Sequence, residues 1–127
     1  MQKKIFLICP VRDADLKTKA ILETYVRRVK RLGHKIYYPA WDTNQKDHIG
    51  LRICTDNREA IRSSDEIHLF FDPTSKGSLF DMGMAFQLEK PIRLINRCKF
   101  QFTEEKSFQS MFMTLHDKYA NERKEKN

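Results

Sequence analysis

Several things are missing from this chain, and each absence excludes something. No stretch approaches the ~20 consecutive apolar residues that a membrane-spanning helix requires. The start, MQKK, runs straight into a short apolar segment rather than the apolar core of a signal peptide, which predicts a chain with no leader. Cysteine is sparse: Cys9, Cys54 and Cys98 are odd in number and are not spaced like metal-ligand pairs. That argues against a disulfide scaffold or a zinc ribbon and predicts reduced thiols in a cytoplasmic protein. Glycine and proline are scarce, four of each, and most stand between periodic segments as punctuation. Acidic residues are outnumbered, 17 against 24 Lys and Arg, for a net charge of +7. The pI near 9.4 suits a polyanionic partner or a phosphorylated small molecule.

What remains is 127 residues, an apolar fraction of 40%, and enough material for a single core. Lys3 to Cys9 reads as a strand buried on both faces, ended by Pro10. Val11 to Asp15 is a polar loop in which Asp13 or Asp15 can cap the next helix. That helix is expected from Leu16 to Leu32, with Ala20, Ile21, Tyr25, Val29 and Leu32 near helical spacing and Gly33 as its stop. Ile36 to Tyr38 reads as a second strand, ended by Pro39. Ala40 to Ile49 has no period and is expected to be a loop at the sheet's edge or mouth. Gly50 to Ser63 reads as a helix with Leu51, Ile53, Cys54, Ala60 and Ile61 turned inward. Ile67 to Phe71 is a third strand and Ile92 to Ile95 a fourth. Phe100 and Phe102 suggest a short fifth strand at one edge. Phe108, Met111, Phe112, Leu115 and Tyr119 mark the last helix. A single domain over residues 1–119 is expected, with 120–127 a charged tail that frays.

The chain is organised around Phe70 to Pro91, FFDPTSKGSLFDMGMAFQLEKP. A strand end breaks at Asp72-Pro73, passes a polar loop to Gly77, and enters a helix expected from Ser78 to Leu88. A helix N-terminus after such a loop presents unpaired backbone N–H groups and favours an anion. The helix is apolar on nearly every side, as expected in a core or at a subunit contact. Strands alternating with helices argue for an α/β fold, an open parallel sheet with right-handed crossovers. In such sheets the ligand lies beyond the C-terminal strand ends where the strand order reverses. With the order 2-1-3-4 that point falls between strands one and three. Arg12 and Asp81, remote in sequence, are then expected in one cleft.

Each candidate has a structural reading beside the functional one. Asp81 is either a catalytic carboxylate or the acidic half of a capping box with Ser78 as N-cap. Ser75 and Ser78 hold a phosphate with the loop amides, or serve as turn and cap residues. Gly77 is expected in a left-handed turn, and Gly83 inside a helix suggests a close approach by another element or by a ligand. Arg12 is a phosphate-binding fork or a solvated loop residue. Trp41 stacks on a base or covers the sheet. Arg27, Arg28, Lys30, Arg31 and Lys35 form a basic cluster without an accompanying aromatic nucleic-acid motif, so a solvated face is expected and nucleic acid is not.

The segments Ile5–Arg12 (IFLICPVR), Asn57–Asp72 (NREAIRSSDEIHLFFD) and above all Ser75–Ile95 (SKGSLFDMGMAFQLEKPIRLI) resemble the nucleoside 2-deoxyribosyltransferase superfamily. Its pattern G-[ST]-x-x-E-x-G-x-A, followed by Lys-Pro, is matched here by Gly77-Ser78, Gly83, Ala85 and Lys90-Pro91. The resemblance spans about Lys3 to Ile95 and is weak over Ala40 to Cys54. It implies a flavodoxin-like sheet, cleavage of nucleoside N-glycosidic bonds, no metal or cofactor, and a homodimer or higher oligomer with shared sites. In the family the motif glutamate attacks the anomeric carbon while another acid protonates the departing base, the logic of retaining glycosidases.

Two positions depart from that pattern. Asp81 stands where the family has glutamate, one methylene shorter, and a misplacement of about 1 Å can cost on the order of a hundredfold in rate. The base-protonating aspartate falls at Asn57, with Asp56 beside it and Asp72 a further candidate acid. Six residues before Asp81 stands Ser75, where transferases acting on free deoxynucleosides carry an acid. Serine there, with an arginine after strand one, matches the branch acting on nucleoside 5′-monophosphates. The resemblance therefore implies an N-glycosidase or deoxyribosyltransferase acting on a nucleotide, or a nucleotide-binding module of the same fold that has lost the chemistry.

Overall fold

The computed structural model describes residues 1–126. In chain order the elements are β1 (Lys4–Ile8), α1 (Leu16–Arg31), β2 (Lys35–Tyr37), α2 (Pro39–Asp42), α3 (Leu51–Ser63), β3 (Glu66–Leu69), α4 (Lys76–Gln87), β4 (Ile92–Leu94), a 3-10 turn (Arg97–Lys99) and α5 (Phe108–Lys126). The four strands form one parallel sheet in the order β2-β1-β3-β4. This is the open α/β sheet expected from the alternating pattern, with the order reversing between β1 and β3. No described helix is long and apolar enough to cross a membrane.

The strands are apolar on both faces because both faces are covered. Phe6, Ile8, Ile67, Leu69, Ile92 and Leu94 face one way and pack with Ile61, Met82, Ala85, Phe112 and Met113 of α3, α4 and α5. Ile5, Leu7, Cys9 and Ile36 face the other way and pack with Leu22, Val26 and Val29 of α1. The buried stripe of α1 is thus Leu22, Val26 and Val29. Ala20, Ile21 and Leu32, expected inside, are exposed, with Leu32 at 70%. The chain offers overlapping apolar stripes, and the straighter one, aliphatic at i, i+4 and i+7, wins the sheet. Asp15 caps α1, accepting from the Thr18 amide at 2.7 Å. Gly33 ends it at φ +93°, a conformation that favours glycine.

Three further expectations are corrected. The first residues after Pro39 form the short helix α2 rather than a loop. No fifth strand forms: Phe100 packs edge-on against Phe71 at 5.2 Å, and α5 covers the sheet edge instead. The outward amide of Leu94 donates to His116 Nδ1 at 2.8 Å, so the edge strand's donor is used by a helix side chain. The C-terminal segment does not fray at Ala120. Helix α5 continues to Lys126, and only Asn127 of the expected tail lies outside the described residues.

Candidate functional site

Asp81 lies on the inner face of α4 with Ser78, Met82 and Ala85, and is only 8% exposed. Burial pushes its carboxyl up to about 7, and a hydrogen bond with the Asn57 side chain holds it back only in part. The surroundings explain this. The Cys9 thiol at the end of β1 is buried, and burial with the nearby Asp81 charge pushes its pKa up. The Cys54 thiol of α3 is raised for the same reasons, with Asp47 adding to them. Among the described residues no cation shares in lowering the Asp81 carboxyl, and Asn57 offsets the loss of water only in part. A buried carboxyl that titrates near neutrality, at the C-terminal end of a parallel sheet, has the electrostatics of a functional acid.

Asn57 is held in place from behind. The Thr43 hydroxyl donates to Asn57 Oδ1 at 2.8 Å, which leaves the amide N–H groups for Asp81. The Tyr37 hydroxyl lies 2.6 Å from the Thr43 hydroxyl. Hydrogen bonds thus link Tyr37, Thr43 and Asn57 from the edge of the sheet inward, and the Asn57 side chain in turn acts on the buried Asp81. Thr43 and Asn57 are themselves buried, which fixes their rotamers.

The loop before α4 is built by capping. The helix begins at Lys76, and its N-cap is Ser75, whose hydroxyl accepts from the Ser78 amide at 3.2 Å and donates to the Ser78 hydroxyl at 2.9 Å. This corrects the expected capping box: Ser78 is inside the helix, and Asp81 is not a capping acid. Gly77 is not in a left-handed turn either, since only Gly33 and Gly50 have positive φ among the glycines. It sits in the first helical turn, with open space where a Cβ would be. Gly83 also faces open space, not the close neighbour that was expected. The amides of Lys76 and Gly77 find no partner among the described residues and point out of the helix start. Behind them the chain is clamped by Asn96, which accepts from the Phe71 amide and donates to the Phe71 carbonyl, both at 2.9 Å.

The other sequence candidates fall around this core unevenly. Asp72 is a turn residue, its Oδ1 accepting from the Thr74 amide at 2.9 Å and from the Thr74 hydroxyl at 2.7 Å. Asp56 turns outward and pairs with Arg52 at 3.7 Å, so of the Asp56-Asn57 pair it is the amide that meets Asp81. Arg12 is exposed in the loop after β1, with no hydrogen bond or ion pair among the described residues. Trp41 in α2 packs edge-on against Tyr38 at 5.1 Å, and Arg27 and Lys30 of α1 each lie 5.7 Å from its ring. Burial pushes the Tyr38 hydroxyl up to about 12, with Cys9 contributing. Thr43 and Asn96 were missed by sequence reasoning. Both are polar residues in aperiodic segments, and nothing in their local sequence marks them as buried.

Comparison with known proteins fits this geometry. No family model matches the chain, and no curated protein matches it. Solved structures do. A 2-deoxyribosyltransferase from Bacillus psychrosaccharolyticus superposes with a TM-score of 0.61 at 18% identity, over 72% of this chain and 70% of that one. A CMP N-glycosidase from Clostridium botulinum superposes with a TM-score of 0.55 at 20% identity, over 91% of this chain and 81% of that one. The chain has the fold of the nucleoside 2-deoxyribosyltransferases and of this nucleotide N-glycosidase.

Proposed function

We propose that this protein cleaves or transfers the N-glycosidic bond of a (deoxy)nucleoside 5′-monophosphate, with Asp81 as the carboxylate facing the anomeric carbon. The observation that carries the proposal is Asp81 itself: a buried acid raised to about 7, at the switch point of a fold shared with enzymes that act on such bonds. At neutral pH a large fraction of it is ionised. The carboxylate attacks the anomeric carbon, the glycosidic bond breaks, and its electrons leave with the base, which takes a proton from an acid or from water. Water or a second base then displaces Asp81. The polar chain from Tyr37 through Thr43 and Asn57 keeps the carboxyl oriented as charge moves off it.

The phosphate end has its own candidates. They are the unpartnered amides of Lys76 and Gly77 and the Ser75 and Ser78 hydroxyls at the start of α4, together with the exposed Arg12 in the loop after β1. Amides at a helix start and an arginine fork suit a phosphate dianion. Asp72, on the loop after β3, and Asp56, which would first have to release Arg52, are the candidates for protonating the departing base. The protein acts as a cytoplasmic homo-oligomer in this reading. Leu79, Phe80 and Phe86 on the outer face of α4 are 41%, 56% and 54% exposed, an apolar face beside the site.

A second reading is supported by one observation. The side chain that meets Asp81 is an amide, Asn57, where an acid would protonate the leaving base. In that reading the cleft binds a nucleotide and performs no chemistry. Chromatography of free base, after incubation with ribo- and deoxynucleoside 5′-monophosphates and the matching nucleosides, separates the two. Release from monophosphates that is lost in Asp81→Asn supports the nucleotide N-glycosidase. Release that survives Asp81→Asn sinks the assigned role. No release, with a monophosphate still raising the melting temperature, establishes the binding module.

A further inference from the structure

A second polar centre lies on the other side of the sheet, far along β3 and β4 from the strand ends that carry Asp81. Glu66 and His68 of β3 are buried, at 4% exposure each. His68 Nε2 meets Glu66 Oε1 at 2.9 Å and its Nδ1 meets the Tyr25 hydroxyl. The other Glu66 oxygen accepts from Lys3 Nζ at 3.2 Å and from the Tyr119 hydroxyl of α5. Although burial raises it, the hydrogen bonds from His68 and Tyr119, and the neighbouring charges, hold the Glu66 carboxyl down to about 2. The carboxylate is engaged by Lys3, His68 and Tyr119, and it holds Tyr119, which lines the cavity beside it.

That cavity, of about 270 Å³, is lined by Arg93, His116, Tyr119, Ala120, Arg123 and Lys124. Arg93 is on β4, directly across from His68 in register, and the rest are on α5. Three permanent cations converge there. None of the three has a carboxylate within salt-bridge distance among the described residues. Asp117, next to His116 on α5, is paired with Arg97 at 3.4 Å instead. Arg123 is stacked over the Tyr119 ring at 5.8 Å, which restrains its guanidinium. His116 accepts the Leu94 amide at Nδ1, so in its neutral form the hydrogen is on Nε2, a further donor at the cavity. Among the described residues these like charges stand together without an ion-pair partner, at a repulsive cost that a bound anion would reduce.

We infer that this cavity is a binding site for a phosphate group, free or carried on a small molecule. Two guanidinium forks, an ammonium and an imidazole N–H match the oxygens of a phosphate, and a dianion balances more of the charge than a carboxylate does. The volume lies just below the roughly 300–1,000 Å³ of most ligand pockets, which fits inorganic phosphate or a sugar phosphate and not a dinucleotide. The site is separate from the proposed catalytic cleft and does not depend on what that cleft does.

The test is a titration of the full chain with inorganic phosphate, and separately with ribose 5-phosphate, at constant ionic strength, followed by amide and imidazole NMR signals. Saturable shifts at Leu94 and His116 are expected. The double variant Arg93→Gln, Arg123→Gln, whose side chains are both on the surface, should weaken binding at least about tenfold. Removing the same charge elsewhere, with Arg27→Gln and Lys30→Gln, should leave it unchanged. Tighter binding of the sugar phosphate identifies the source as an ester, and equal affinity identifies free phosphate. Shifts confined to the start of α4, or an equal loss in both double variants, would overturn the site.

Discussion

The buried acid carries a prediction about stability that is independent of any substrate. In the unfolded chain Asp81 titrates near 3.8, and in the folded protein near 7. Between those values the folded state holds a proton that the unfolded state does not. Stability therefore falls as pH rises through that window, and above pH 7 the full penalty of burying the charge is present. The gap corresponds to on the order of 4 kcal/mol. Asp81→Asn removes the ionisation while keeping the shape and an oxygen to accept from Asn57. The variant should be close to wild type in stability at pH 4. At pH 8 it should be more stable by up to that amount, equivalent to on the order of 10 °C in melting temperature. Urea unfolding at a series of pH values measures it. Glu66, whose lowered pKa works in the opposite sense at acid pH, is common to both proteins and cancels in the difference. A difference between the two proteins that does not change with pH would refute the reasoning, because it would mean that the carboxyl ionises as freely in the fold as in the unfolded chain.

Two other expectations rest on particular side chains. Ser75→Ala removes the cap of α4 and should cost about 1 kcal/mol, read as a lower urea midpoint with an unchanged slope; no loss would mean that the Ser75 hydroxyl is not the cap. Phe80→Glu places a charge on the exposed apolar face of α4 and should reduce the size of the particle seen by light scattering. A wild-type protein that is already a monomer at micromolar concentration would remove the oligomer from the proposed function.

How much was legible follows from which interactions are local. The strand–loop–helix order and the parallel sheet followed from apolar runs that alternate with helical periods, because periodicity and punctuation are written within a few residues of where they act, whereas the 2-1-3-4 order is the common one for such sheets and is the order observed. The place of Asp81 at the switch point followed from topology. What failed were readings that require knowing what lies across space. Ser78 and Asp81 have capping-box spacing, but Ser75 takes the cap, and Asp81 is then free to turn inward to Asn57. Gly77 and Gly83 looked like devices for tight turns or close approach, and both face open space. The inner face of α1 was set by which of its stripes met the sheet, and sequence spacing alone does not decide between them. The basic residues show the same limit most clearly. As a count they gave a net charge and a weak pointer to an anion. Only the fold separates those already engaged from those left together without a counter-ion. Arg52 is paired with Asp56 and Arg97 with Asp117, while Arg93, Arg123 and Lys124 line one cavity with no ion pair among the described residues. A surplus of positive charge becomes a binding determinant where cations stand together without a partner among the described residues, and that is the ground for proposing a phosphate site at this cavity.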